Sequence, residues 1–222
     1  LRLFHWIFAG LFVLAFLIAK TVDDETPVFA YHMLAGLMLS FVVTLRLFWG
    51  LFGSLNSRFS SLSLKPKDFT IYLKGVISGD AKKWGGHNPA SSWAAILMFV
   101  FALGLAFTGW QMASGNKEAF EDVHELLANG FLVTVLLHIA GVLLHGFRHR
   151  DAIGLSMIDG HKMEVPSGQT ISRSHGAAAA LFLLLIIGFA AHLYRNYDGV
   201  SRKLNLFGSV LTLGENEDVE DE

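Results

Sequence analysis

"VHELLANGFLVTVLLHIAG", Val123 to Gly141, has the apolar density of a membrane-spanning helix yet carries two histidines. His124 and His138 lie fourteen residues apart, with Glu125 and Asn129 confined to the first turns. An α-helix advances about 100° per residue, so fourteen steps return a side chain to within about 40° of its starting direction, roughly 21 Å further along the axis. Two imidazoles on one face at two depths cannot share a metal ion. Each can serve a site of its own.

The surrounding sequence fixes the setting. Of 222 residues, 53% are hydrophobic and 16% charged, against about a quarter charged in a soluble domain. Five apolar stretches stand out: Leu3–Ala19, Val28–Phe48, Ser92–Gln111, Gly130–His145 with a polar lead-in from Glu121, and Gly176–Tyr194. Each approaches the ~20 residues a helix needs to cross a bilayer. Strands are not expected, since a lipid-facing open sheet leaves backbone groups unsatisfied. The predicted fold is all-α: an integral membrane helical bundle with a four-helix core in residues 1–150 and a fifth transmembrane helix at 176–195. Residues 151–175 read as a cytoplasmic loop and 196–222 as an acidic non-cytoplasmic tail. No cleavable signal peptide is expected.

Lysine and arginine orient the chain. Seven of them, from Arg46 to Lys83, lie between helices two and three; Arg148, Arg150, Lys162 and Arg173 lie between four and five, and Arg2 shares that side. The opposite side holds Asp23, Asp24, Glu25, Glu118, Glu121 and Asp122 with few basic residues. The positive-inside rule puts the N-terminus in the cytoplasm and the C-terminus outside. On the cytoplasmic side "DFTIYLKGVIS", Asp68–Ser78, sets Phe69, Tyr72, Leu73, Val76 and Ile77 on one face, a short helix for the interface or for packing on the bundle.

Cysteine is absent, which excludes disulfides, thiolate-bound iron–sulfur clusters and covalently attached haem. The ten histidines are the main ligand class. His5, in "RLFHWIFAG", begins helix one on the cytoplasmic side; His32, in "FAYHMLAGLML", begins helix two on the outer side. Helix four runs inward, so His5 can meet His138 and His32 can meet His124. Two transverse pairs are what two six-coordinate b haems require of a bundle. A lone intramembrane histidine is ordinarily a hydrogen-bonding group or proton relay. Four at two matched depths on three helices are a costly arrangement that points to function. His145, seven residues past His138 on nearly the same face, is an alternative partner for His5.

Gly10, Gly36, Gly130 and Gly141 offer room for a flat macrocycle, though glycine also serves ordinary helix contacts. His175 and His192 read as interfacial, His149 and His161 as cytoplasmic, and His87, in "GGHNPASS", as part of the turn into helix three. The rival class is a transporter using histidine for metal or protons, which needs ligands converging at one depth.

The motifs "RLFHW", "YHMLAG" with "RLFWG", "GHNPAS" and "VHELLANGFLVTVLLHIAGVLLHGFRHRD" together resemble a bacterial family. It is the di-haem cytochrome b family of nickel–iron hydrogenase cytochrome b subunits and bacterial cytochrome b561, with formate dehydrogenase gamma subunits more distant. The resemblance spans residues 2–160. It implies axial ligands at His5, His32, His124 and His138, which selects His138 over His145. It also implies a bacterial inner-membrane protein passing electrons between a periplasmic-side partner and the quinone pool. A c-type cytochrome or a hydrogenase or dehydrogenase subunit would be that partner; nucleic acid is not expected. A stand-alone member oxidising superoxide is an alternative, disfavoured by the acidic outer face. Arg2, Arg46, Arg148 and Arg150 are candidates for haem propionates, and His145 with His149 behind it for a quinone or proton site. The fifth helix and the acidic tail depart from the simplest four-helix members.

Overall fold

Apolar length decides where the helices form, and capping chemistry decides where they stop. In a computed structural model describing residues 1–54, 57–79, 88–149, 154, 156–159 and 175–214, the long helices are α1 (Arg2–Thr21), α2 (Ala30–Phe52), α4 (Pro89–Ala113), α5 (Lys117–His149) and α7 (Gly176–Asn196). All five are long and apolar enough to cross a membrane. Two short helices, α3 (Pro66–Ser78) and α6 (Ser156–Asp159), lie between them.

The boundaries have local causes. Asn88 precedes Pro89, and its Oδ1 accepts the Ser91 N–H at 2.7 Å, so α4 opens with an asparagine cap and proline in its first turn. Between α4 and α5 the Asn116 N–H reaches the Gln111 carbonyl and the Gly115 N–H the Met112 carbonyl. Gly115 has φ +100°. This six-to-one and five-to-two pattern closes a helix on a left-handed glycine. α5 then runs 33 residues, well beyond the apolar run expected from the sequence, because the stretch before Asn129 is rich in good helix formers.

The described chain forms two compact units. One comprises Leu1–His5, Arg46–Phe101 and Asn129–Ser174; the other Trp6–Leu45, Ala102–Ala128 and His175–Glu222. In the first, Phe131 is fully buried and stacks with Phe101 at 6.3 Å. Gly130 makes that contact fit: a Cβ there would come within 2.9 Å of the Phe101 ring. Its role is helix packing rather than room for a macrocycle. Helix α3 packs through Phe69 against Trp93 of α4, while Ile77 on the face assigned from the sequence is 87% exposed. Arg148 of α5 donates to the Val76 and Gly75 carbonyls at 2.5 and 3.1 Å, satisfying the open end of α3.

In the second unit, the segment read from sequence as a tail carries a three-stranded antiparallel sheet. Its strands are β1 (Tyr197–Asp198), β2 (Lys203–Leu206) and β3 (Ser209–Thr212) in that order. Leu204, Leu206 and Leu211 are buried from β2 and β3, and Leu213 just after them, with Ala30, Ala113 and Leu193. A buried leucine is worth about 1.5–3 kcal/mol, so this small sheet has a core of its own against the helix ends. The expectation of no strands holds for the spans and fails here, where alternation of period two makes one face apolar. The acidic run 215–222 lies outside the described residues.

Candidate functional site

The four histidines singled out by spacing come together in twos. His32 and His124 lie in one unit, His5 and His138 in the other. In each couple the ring charges are close enough to interact directly. Among the described residues no group of three or more potential metal ligands converges.

The His32–His124 couple is defined to the level of single nitrogens. His32 Nδ1 lies 2.8 Å from the Ala15 carbonyl oxygen. A carbonyl only accepts, so Nδ1 carries the proton and Nε2 keeps its lone pair. His124 Nδ1 lies 2.7 Å from Thr108 Oγ1, and that hydroxyl is 2.9 Å from the Gly104 carbonyl. The single hydroxyl proton goes to the carbonyl, so Oγ1 accepts from His124 Nδ1–H. His124 Nε2 is then also unprotonated. Both rings have the tautomer of a metal-binding imidazole whose other nitrogen is held by a main-chain or side-chain oxygen.

The ring centres are 6.3 Å apart with planes crossed at 74°. A metal ion held between two imidazole nitrogens at about 2 Å each sets ring centres roughly 6 Å apart. The donor set therefore fits the bis-histidine b haem that the resemblance implies. Gly109 of α4 adds to the fit, since its missing side chain leaves the His124 ring 3.4 Å from where a Cβ would stand. Gly36, one turn after His32, is half-buried and a Cβ there would meet nothing within 4 Å. The same is true of space at Gly10 and Gly141.

In the unit that holds His5 and His138 the informative group is Arg46. It interacts with the Leu1 end of α1, whose carbonyl accepts the His5 N–H at 2.9 Å. Its Nη2 donates to the Ser57 carbonyl at 3.1 Å. Its guanidinium carbon lies 5.4 Å from the Phe59 ring centre and 5.6 Å from that of Phe99. Nη1 is buried and has no hydrogen-bond partner among the described residues. A buried cation with an unmet donor fits an acidic group of the bound cofactor, and a haem propionate is such a group.

The other arginines divide. Arg148 is engaged with the end of α3. Arg2 is exposed and donates to the Ile158 carbonyl of α6 at 2.9 Å. Arg150 lies outside the described residues, as does the side chain of His149. His145 is half-buried on α5. His87 and His161 also lie outside the described residues. His192, read as an interfacial residue, stands in the last turns of α7, stacked against Phe207 with its Nε2 buried.

Thr108 and the Ala15 carbonyl are the residues sequence reasoning misses. Thr108 is a lone hydroxyl in an apolar helix, a weak signal. A main-chain acceptor leaves no signal at all.

Residues 1–160 match the protein family described as prokaryotic cytochrome b561. Among curated proteins and solved structures, nothing matches the chain. The matched segment holds all four paired histidines and ends before α7 and the sheet. This multi-pass helical membrane protein is a b-type cytochrome of electron transfer and belongs to the prokaryotic cytochrome b561 family.

Proposed function

We propose that this cytochrome carries two b haems, ligated by His32 with His124 and by His5 with His138, and relays electrons between a periplasmic-side redox partner and the quinone pool. The observation that carries it is the tautomer lock on His32 and His124, which leaves two Nε2 lone pairs on rings 6.3 Å apart. When bound, each haem supplies a one-electron iron couple. The chain does the rest. Thr108 and the Ala15 carbonyl hold the ring nitrogens that do not bind metal, which fixes ring orientation and raises ligand basicity. Arg46 neutralises a propionate where lipid and protein exclude water. His145, half-buried past His138 on α5, exchanges protons with quinone, a task suited to an imidazole, which can both accept and donate a hydrogen bond.

The N-terminus is cytoplasmic and the C-terminus periplasmic in this reading, in a bacterial inner membrane, on the strength of the basic residues gathered on one side. The opposite side is acidic and partly self-paired. Lys117 bonds Asp24 at 3.2 Å, and Lys20 lies 3.9 Å from Glu125. The remaining carboxylates suit a basic soluble donor such as a c-type cytochrome, through steering that salt screens. A hydrogenase or dehydrogenase subunit is the other candidate partner. Removing Glu215–Glu222 should slow reduction by such a donor at low ionic strength; an unchanged rate would count against steering by this tail.

The test of the relay is a reduced-minus-oxidised spectrum with a pyridine haemochrome count on the purified chain. About two haems b per chain are expected from the two histidine pairs. One haem, or none, would overturn the paired reading. Replacing His145 with Phe should keep both haems and slow quinone turnover, and full turnover in that variant would remove His145 from the proton path.

A further inference from the structure

Helix α7 lies outside the segment that matches the family, and it carries a polar group the electron relay leaves unused. His192 stands one turn before the end of α7. Its tautomer is fixed by Asn196. The amide Nδ2 of Asn196 lies 2.8 Å from the His192 carbonyl oxygen and 3.2 Å from His192 Nδ1. The carbonyl only accepts, so the atom beside it is the amide nitrogen, and its second N–H is given to Nδ1. Nδ1 is therefore the acceptor of the imidazole and Nε2 carries the proton. That Nε2–H is buried and, among the described residues, none supplies it with an acceptor.

The ring is held among flat apolar surfaces. Phe207 stacks on His192 at 4.8 Å with planes 12° apart. Phe189 lies 6.5 Å away at 19° and itself stacks on Phe41 of α2 at 4.3 Å. Phe207 occupies the two-residue turn between β2 and β3 with φ +50°, followed by Gly208 at φ +92°. That turn favours Asn, Asp or Gly in its first position, and a bulky residue there is strained. The sheet thus keeps a phenyl over the imidazole at a conformational cost, although the phenyl is 80% exposed.

The site is separate from the His32–His124 couple. Phe41 follows His32 by nine residues, which is half a turn of rotation around α2. His32 faces α5, and the α2 surface that meets α7 is the opposite one.

We propose that His192, Asn196, Phe41, Phe189 and Phe207 form a binding site for the head ring of a membrane quinone, with one ring carbonyl accepting the Nε2 hydrogen bond. Three features select this class. The contacts of the imidazole among the described residues are aromatic rings and an amide, surroundings that suit a neutral carbonyl as the acceptor. The walls are flat and apolar, which suits a planar ring. The site sits at the end of a membrane-spanning helix, within reach of a ligand dissolved in lipid. This inference rests on the reading that the chain exchanges electrons with quinone, and adds a place for quinone that is distinct from His145.

The experiment uses purified, haem-loaded chain depleted of endogenous quinone. An azido-ubiquinone photolabel on the unmodified chain should mark the peptide carrying Gly176–Phe207. Titration with a fluorescent hydroxyquinoline N-oxide, a quinone analogue, should show a binding class that His192→Phe weakens by about tenfold or more, the scale of one lost hydrogen bond. The haem count should not change. Phe207→Asn, which relieves the strained turn, should weaken the same class by removing a wall. Label found only elsewhere, with affinity unchanged in both variants, would overturn the site. So would loss of a haem in His192→Phe, which would give the donor to the cofactor. A chain that lacks haem yet takes up the label at α7 would sink the relay and leave this site standing.

Discussion

The two histidine couples are built by different means. Around His32 and His124 each ring has its proton fixed on Nδ1 by a defined oxygen, which leaves both Nε2 lone pairs open. In the unit that holds His5 and His138 the most telling group is the half-satisfied guanidinium of Arg46, a cation that suits an acidic group. On the proposed reading, one site would be tuned through its imidazoles and the other through a cofactor's acidic edge. Two cofactors of identical chemistry would thereby acquire different potentials, which is what a directional relay needs.

The difference can be broken or sharpened experimentally, beginning with ligand loss. His124→Ala and His138→Ala should each lower the haemochrome count from about two to about one, and each should remove a different redox wave. If either substitution removes both, the couples are not independent and the comparison collapses. Next in size is the sheet, where Leu211→Ala should cost about 2–5 kcal/mol by leaving a cavity. The expected sign is faster protease cutting within residues 197–212 while the His5–His138 wave is unmoved; a shift in that wave would mean that the two units respond together.

Arg46→Gln separates the couples by charge. Removing a cation makes adding an electron harder, so the His5–His138 wave should fall by tens of millivolts, where about 60 mV corresponds to a tenfold change for one electron. Potentiometric titration reads this, and an equal fall in both waves would contradict the assignment. Thr108→Val should act on the other wave only, through a hydrogen bond worth about 1 kcal/mol, with Thr108→Ser restoring the original value. The smallest effect concerns Asp198, whose carboxyl accepts from Ser201 at 2.6 Å and from the Val200 N–H at 3.0 Å. These bonds hold it below its ordinary value of 3.8. A depressed carboxyl contributes stability above its unfolded value and loses it as pH falls through the folded one. The hairpin should therefore loosen in acid, and Asp198→Asn should flatten that dependence in amide exchange.

Much of this was legible in the sequence, for physical reasons that can be named. Lipid demands long apolar helices, so five spans were visible as five runs. Histidine in lipid is costly enough that its spacing carries meaning; spacing pointed to His5, His32 and His124 with His138 or His145, and the family resemblance chose His138. The sheet was missed although "KLNLFGSVLTL" alternates on both sides of a two-residue turn. Its four-residue strands are short, and Phe207 stands where turn chemistry calls for Asn or Gly. The contact of Arg148 with the carbonyls of α3 was not legible, because a basic residue at that end also satisfies the orientation rule and only the fold brings α3 to it. His192 was passed over because its stack needs Phe207, which folds back from a separate element.

The acceptor for His32 has one consequence for inheritance. It is a peptide oxygen in the middle of α1, so a side-chain change at position 15 leaves it in place. The acceptor for His124 is a hydroxyl that a single substitution at position 108 deletes. Mutation can reach only one half of this lock. A library scanned one side chain at a time would report sensitivity at 108 and silence at 15, and anyone ranking positions by that score would overlook an atom as necessary as the other.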